Sequence, residues 1–170
     1  MAWKTGPNSP LGIPYGAPAT ADTVAVVPVG TIATFFEDTQ GPAECIYLPG
    51  VAATVAGDLV EYDLTPGAQA TIRHSNATAS NSGRPVAVAL AATVAGQYGW
   101  YQIGGVAVVN ATAGTVVGPC MATATAGSVN NAADAGDQIL NARITTAVGT
   151  PSAGKAYVTL NRPFVQGQIT

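Results

Sequence analysis

Apolar and polar positions alternate with a period of two along most of this chain, the spacing of half-buried β-strands. In 155–161, Ala156, Val158 and Leu160 fall on one face, and Tyr157 and Thr159 on the other. In 58–64, Val60, Tyr62 and Leu64 share one face, and Leu59, Glu61 and Asp63 the opposite one. The pattern predicts strands over 24–36 (broken near Pro28 and Gly30), 44–48, 58–64, 69–74, 85–92, 98–103, 106–110, 116–122, 138–146 and 155–161. Turn signals separate them: Pro49-Gly50, Pro66-Gly67, Ser82-Gly83, Ala95-Gly96, Gly104-Gly105, Ala113-Gly114, Gly118-Pro119, Ala126-Gly127, Ala135-Gly136 and the stretch 149–151. No charged amphipathic window of helical length occurs, and 130–138 holds one helical turn at most. The expected fold is all-β: an antiparallel β-sandwich or jelly roll, or a β-tulip-like barrel of short strands.

Residues 1–22 break the pattern. Pro7, Pro10, Pro14 and Pro18 alternate with Gly6, Gly12 and Gly16, and proline lacks a donor and fixes φ, so an extended Pro/Gly-rich N-terminal arm is expected. Fully extended, it reaches ~70 Å. Two readings stay open: an arm laid over a neighbouring subunit, or one folded back on its own domain. The chain then divides into the arm (1–22), a β-rich domain (23–162) and a C-terminal tail (163–170). A tryptophan in an arm without a core needs a pocket elsewhere, as interface anchors do. The expected partner contacts are therefore Trp3, Pro7, Pro10, Pro14 and Tyr15, with Phe164 in the tail.

Composition sharpens this picture. Only 9% of the 170 residues are charged and the net charge is −3, which excludes a coiled coil and disfavours any surface for a phosphate backbone. The second strand faces carry Thr, Ala, Asn and Gln where a soluble monomer places Lys and Glu. No apolar run approaches the ~18 residues of a membrane helix, and Met1 to Pro7 has no signal-like run, so a cytoplasmic origin without membrane contact is expected. Cys45 and Cys120, 75 positions apart in apolar surroundings, read as buried thiols in a reducing compartment.

Candidate chemistry is sparse. His74, the sole histidine, stands at a strand end before the polar loop 76–83, where a surface spectator is expected, and no Gly-x-Ser-x-Gly elbow accompanies it. Asp58, Glu61 and Asp63, or Asp134 with Asp137, are spaced closely enough to converge on a cation, although solvated turn carboxylates are the default. Two cysteines and one histidine make no zinc set, and no phosphate-binding glycine motif occurs. No catalytic residue, metal or cofactor is expected. On a strand, Tyr98 and Trp100 share a face; they either stack a sugar, making a carbohydrate-binding module, or fill the core, the reading favoured here. Residues 51–64 align without gaps on 90–103 with half the positions identical, each copy reading as a small-residue loop, an Ala-Gly turn and a strand.

The run Pro85-Val-Ala-Val-Ala-Leu90, then Ala95-Gly96, then Tyr98-Gly-Trp-Tyr-Gln-Ile-Gly-Gly-Val106 resembles the capsid cement (head decoration) proteins of tailed bacteriophages. Ala56-Gly57-Asp58-Leu-Val60 and Ala135-Gly136-Asp137-Gln-Ile139 are similar to two further turns of that family, so the likeness spans about 50–162. It implies an enzymatically inert, β-rich structural protein of the virion. Such a protein is made in the host cytoplasm and sits on the capsid exterior, often as a homotrimer, cross-linking major capsid protein subunits. Other virion parts, such as a head fibre base or a tail protein, are the alternative within that class.

Overall fold

The computed structural model describes residues 3–5, 18–66, 69–75, 82–132 and 137–167. Among these there is no helix, and the strands form one curled antiparallel sheet, a half-barrel. In chain order the strands are β1 (Trp3–Thr5), β2 (Ile32–Glu37), β3 (Gly41–Pro49), β4 (Leu59–Asp63), β5 (Ala70–Arg73), β6 (Val86–Ala89), β7 (Tyr98–Asn110), β8 (Gly118–Ala122), β9 (Val129–Asn130), β10 (Gln138–Ile144) and β11 (Lys155–Val165). The main path runs β1-β2-β3-β7-β11-β10-β8-β9, and a branch runs from β7 through β6 to β4 and β5.

The branch point is β7. Its first half pairs with β3, from Pro49 opposite Tyr98 to Ala43 opposite Gly105. Its second half pairs with β11, from Asn161 opposite Gly104 to Lys155 opposite Asn110, and β6 joins at Tyr101 and Gln102. Gly104-Gly105 was expected to be a turn between two strands; it lies inside one long strand, directly after the bulge at Ile103 where the register with β3 shifts. The strand curls sharply there. The Gln102 amide donates to the carbonyls of both Gly104 and Val106, each at 3.0 Å. On a flat strand residues four apart stand ~13 Å apart, beyond a glutamine's reach. Gly105 has φ +87°, and a Cβ there would lie 2.3 Å from the Pro42 carbonyl oxygen, so two backbones meet where only glycine fits.

Three apolar clusters fill the curl. The first joins Leu59, Val86 and Val88 to Val109, Ile139, Ile144, Val158 and Val165. The second centres on Phe35, Tyr47 and Trp100, with the Phe35 and Trp100 rings 5.0 Å apart edge to face and Tyr47 5.1 Å from Trp100. The third packs Ile46, Leu48 and Val60 against Tyr101 and Ile103. Cys45 and Tyr47 of β3 belong to the second cluster and Ile46 and Leu48 to the third, so β3 is a wall between cores. Strand β4 is likewise buried on both faces, because Leu59 enters the first cluster and Val60 the third. The one-sided alternation expected for 58–64 does not hold there. It does hold in β11, where Ala156, Val158 and Leu160 are buried and Thr159 is exposed.

The ends differ from expectation too. Residues 24–30 form bends and turns instead of strand, and the strand begins at Ile32. Gly118-Pro119, read as a turn, lies within β8. Strand β9 reaches only Met121 and Ala122, so Pro119 faces an open edge where a missing donor is tolerated. Strand β11 runs through Pro163 and Phe164 to Val165, which is fully buried, so the sheet extends past the boundary expected at 162.

Among the described residues, five segments share the form X-Ala-Gly-X and one conformation: 55–58, 94–97, 112–115, 125–128 and 152–155. In each, the last N–H donates to the first carbonyl, and the glycine has φ between +70° and +91°, the signature of a type II turn. The sequence echo is therefore structural. Its copies meet through the Thr93 N–H on the Thr54 carbonyl, and β4 and β7 leave the two turns at equivalent positions. Of the other segments tied to them, 133–136, which include Ala135-Gly136, lie outside the described residues.

Replacing Gly105 by alanine is expected to cost about 2–4 kcal/mol, combining backbone strain with the clash on Pro42. The same change at Gly114, which has φ +83° but nothing within 4 Å of the added carbon, is expected to cost only about 1 kcal/mol. Chemical denaturation of the two variants checks the contrast.

Candidate functional site

The turns converge on one carboxylate. Asp58, 1% exposed, closes the 55–58 turn by accepting the Val55 N–H at 2.9 Å, accepts Arg73 Nε at 2.7 Å and accepts the Asn110 amide at 2.7 Å. Arg73 carries the network on to the Ala126 carbonyl at 2.8 Å. Lys155 Nζ donates to Asn110 Oδ1 and to the Ala56 carbonyl. Backbone hydrogen bonds link the same turns, from Leu59 to Gly127, Ala111 to Gly154 and Thr112 to Val129. Gly127 makes the burial of Asp58 possible, since a Cβ there would sit 2.4 Å from its Oδ1. The other copy of the echo uses Gln97 where this one uses Asp58: its Oε1 accepts the Val94 N–H at 3.1 Å. This network ties turns together and offers no substrate a reacting group.

A second buried polar group corrects the reading of His74. The ring is 1% exposed, beneath the strands, because the His74 N–H joins the Leu59 carbonyl and turns its side chain inward beside Glu61. Nδ1 stands 2.7 Å from Glu61 Oε1, and the Ser82 hydroxyl donates to the same oxygen at 3.0 Å. A hydrolytic relay needs serine on the histidine's far nitrogen. Here the glutamate stands between them, and His74 Nε2 has no hydrogen-bond partner among the described residues. Asp63 does not join Glu61 either: it caps a turn by accepting the Thr65 N–H and hydroxyl at 2.8 and 2.7 Å. Those bonds hold its carboxyl below the usual range. Among the described residues no group of three or more His, Cys, Asp or Glu could hold a metal, and Asp134 lies outside them.

Trp100 is 1% exposed and has no ring face to offer a sugar, so the stacking site imagined with Tyr98 is closed; Tyr98 instead stacks on Tyr47 at 6.1 Å. Both cysteines are free and buried, as expected. Burial pushes the Cys120 thiol up to about 12, and burial followed by the Glu44 charge pushes Cys45 up as well.

The partner contacts expected in the arm are placed in part. Trp3 is half-buried against the second cluster of its own domain, and β1 pairs with β2 through Trp3 opposite Glu37. At the arm's other end Asp22 bridges Tyr98 and accepts the Tyr47 hydroxyl at 2.8 Å. For these residues the arm folds back on its own domain. Pro7, Pro10, Pro14 and Tyr15 lie outside the described residues. Phe164 sits in β11 opposite Leu140 rather than in a free tail.

What the surface does offer is uncharged apolar side chains on the turns. Val55 and Val94 open the two echoed turns at 48% and 52% exposure, and Val116 and Val117 follow a third at 50% and 52%. Behind the 55–58 turn, Asp58 and Arg73 are turned inward on one another. The low charge was legible in the sequence; the pairing of Asp58 with Arg73 was not, because it depends on which strands and turns become neighbours. Comparison with family models, curated proteins and solved structures finds no match.

Asp58→Ala is expected to destabilise the fold by about 2–4 kcal/mol, since it strips three donors of their acceptor; the 27% exposure of the Arg73 side chain keeps the cost below that of a fully buried pair. Thermal unfolding measures it. The raised thiols stabilise the fold fully below about pH 9, where unfolded cysteine begins to ionise, and that contribution is lost as pH rises toward 12. The native protein should accordingly leave a thiol reagent unreacted at pH 8, and unfolded protein should consume both thiols.

Proposed function

We propose that this chain is a non-enzymatic structural protein of a tailed-phage virion that binds the outer surface of the head and cross-links major capsid protein subunits. The observation that carries this reading is the set of exposed, uncharged valines, Val55 and Val94 on the two echoed turns and Val116 and Val117 after a third, together with the inward pairing of Asp58 with Arg73. Interface centres are depleted in charged residues, and exposed apolar side chains on an uncharged surface suit such a contact. The half-barrel of short strands agrees with the family likeness in 50–162. Contact with several capsid subunits at once, through a homotrimer, would add avidity without any strong single contact.

The arm enters this reading differently from the way the sequence suggested. Trp3 is used within its own domain, so the turns replace it as the proposed contact. The buried Trp100 removes the ground for a carbohydrate-binding module.

Added to head particles prepared without it, the full chain should bind saturably and raise the temperature at which they release DNA. Val94→Asp with Val116→Asp, both at exposed positions, should weaken binding at least tenfold while leaving the melting temperature of the free protein within a few degrees. Unchanged binding by that variant, or heads indifferent to the wild-type chain, would count against the proposal.

A further inference from the structure

Beside the turns lies a cavity of about 140 Å³. A space of about 150 Å³ accommodates a ligand the size of benzene, so six or so heavy atoms fit. Trp3, Leu90 and Val108 supply apolar wall, Gln40 and Ser152 supply polar groups, and Lys155 brings an ammonium. That ammonium has two acceptors, the Ala56 carbonyl and the Asn110 side-chain oxygen, both neutral. An ammonium carries three N–H groups, and Lys155 forms no ion pair with a carboxylate among the described residues. Asp58 is reached only through Asn110. Room for the charge is built in: a Cβ on Gly57 would lie 2.8 Å from Nζ.

We propose that this cavity binds a carboxylate carried on a short apolar stem, with the third N–H of Lys155 donating to the carboxylate and Trp3, Leu90 and Val108 enclosing the stem. A single cation in a mostly apolar cavity suits one negative charge; a phosphate would bring more charge and more acceptors than the lining can satisfy. Burial already lowers the Lys155 pKa against a smaller opposing pull from Asp58. A bound carboxylate supplies the missing countercharge, so binding and protonation of Lys155 support one another. The carboxylate comes either from a free acid or from the carboxyl terminus of another polypeptide.

The chain contains two lysines, Lys4 and Lys155, which makes a direct readout practical. In lysine-labelled full-length protein, titration with sodium butyrate should move the Lys155 Nζ resonance saturably and raise its pKa, leaving Lys4 unmoved. Butyramide, which keeps the shape and loses the charge, should bind at least about tenfold more weakly. An N-acetylated dipeptide ending in valine tests the source: tighter binding than butyrate assigns a chain terminus, and binding of butyrate alone assigns a free acid. The proposal is overturned if Lys155 shows no saturable response at tens of millimolar butyrate, if both lysines respond alike, or if butyramide binds as well as butyrate.

Discussion

The bend in β7 at Gly104-Gly105 is the constraint on which the architecture depends. Without it, β7 would be a straight strand with one neighbour on each side. Curled, it gives β3 one edge and divides the other between β6 and β11. The curl needs a residue that tolerates φ +87° against the Pro42 carbonyl. The Gln102 amide bridges the curl by donating to the carbonyls of Gly104 and Val106. From that corner follow the three clusters, the two-sided burial of β3 and β4, and the gathering of the turns.

Charge is then used sparingly, and part of it inwardly. With 9% charged residues, the chain places Asp58 and Glu61 in the interior, where Asp58 meets Arg73 and Asn110 and one oxygen of Glu61 meets His74 and Ser82. A buried carboxylate without such partners would cost several kcal/mol. The outcome is a surface on which the turns show valine, alanine, threonine and serine. For an isolated domain that is an unusual exposure; for one that spends its life pressed against other chains it is economical.

How much of this was legible in the sequence depended on how local the cause was. The strands and Ala-Gly turns could be read directly, because alternation and a glycine at positive φ are local properties. Gly104-Gly105 misled, because a glycine pair has the same local signature in a hairpin turn and in a bent strand, and only the approach of Pro42 tells them apart. Tandem strand pairing hid His74: its burial follows from the register that places it beside Leu59, and no residue near it in sequence announces Glu61 as its partner. One signal was available, since Glu61 stands between Val60 and Tyr62 in an apolar strand. Trp3 found its pocket on its own domain, and its chemistry alone did not distinguish that outcome from a neighbour's surface.

The account comes down to whether the uncharged turns are where this chain meets other chains. Hydrogen–deuterium exchange of the full-length protein, free and bound to phage heads, addresses that most directly. Protection concentrated in 55–58, 94–97 and 112–117 is the predicted result. Protection confined to the opposite strand ends, with those turns exchanging as freely as in the unbound protein, would contradict it.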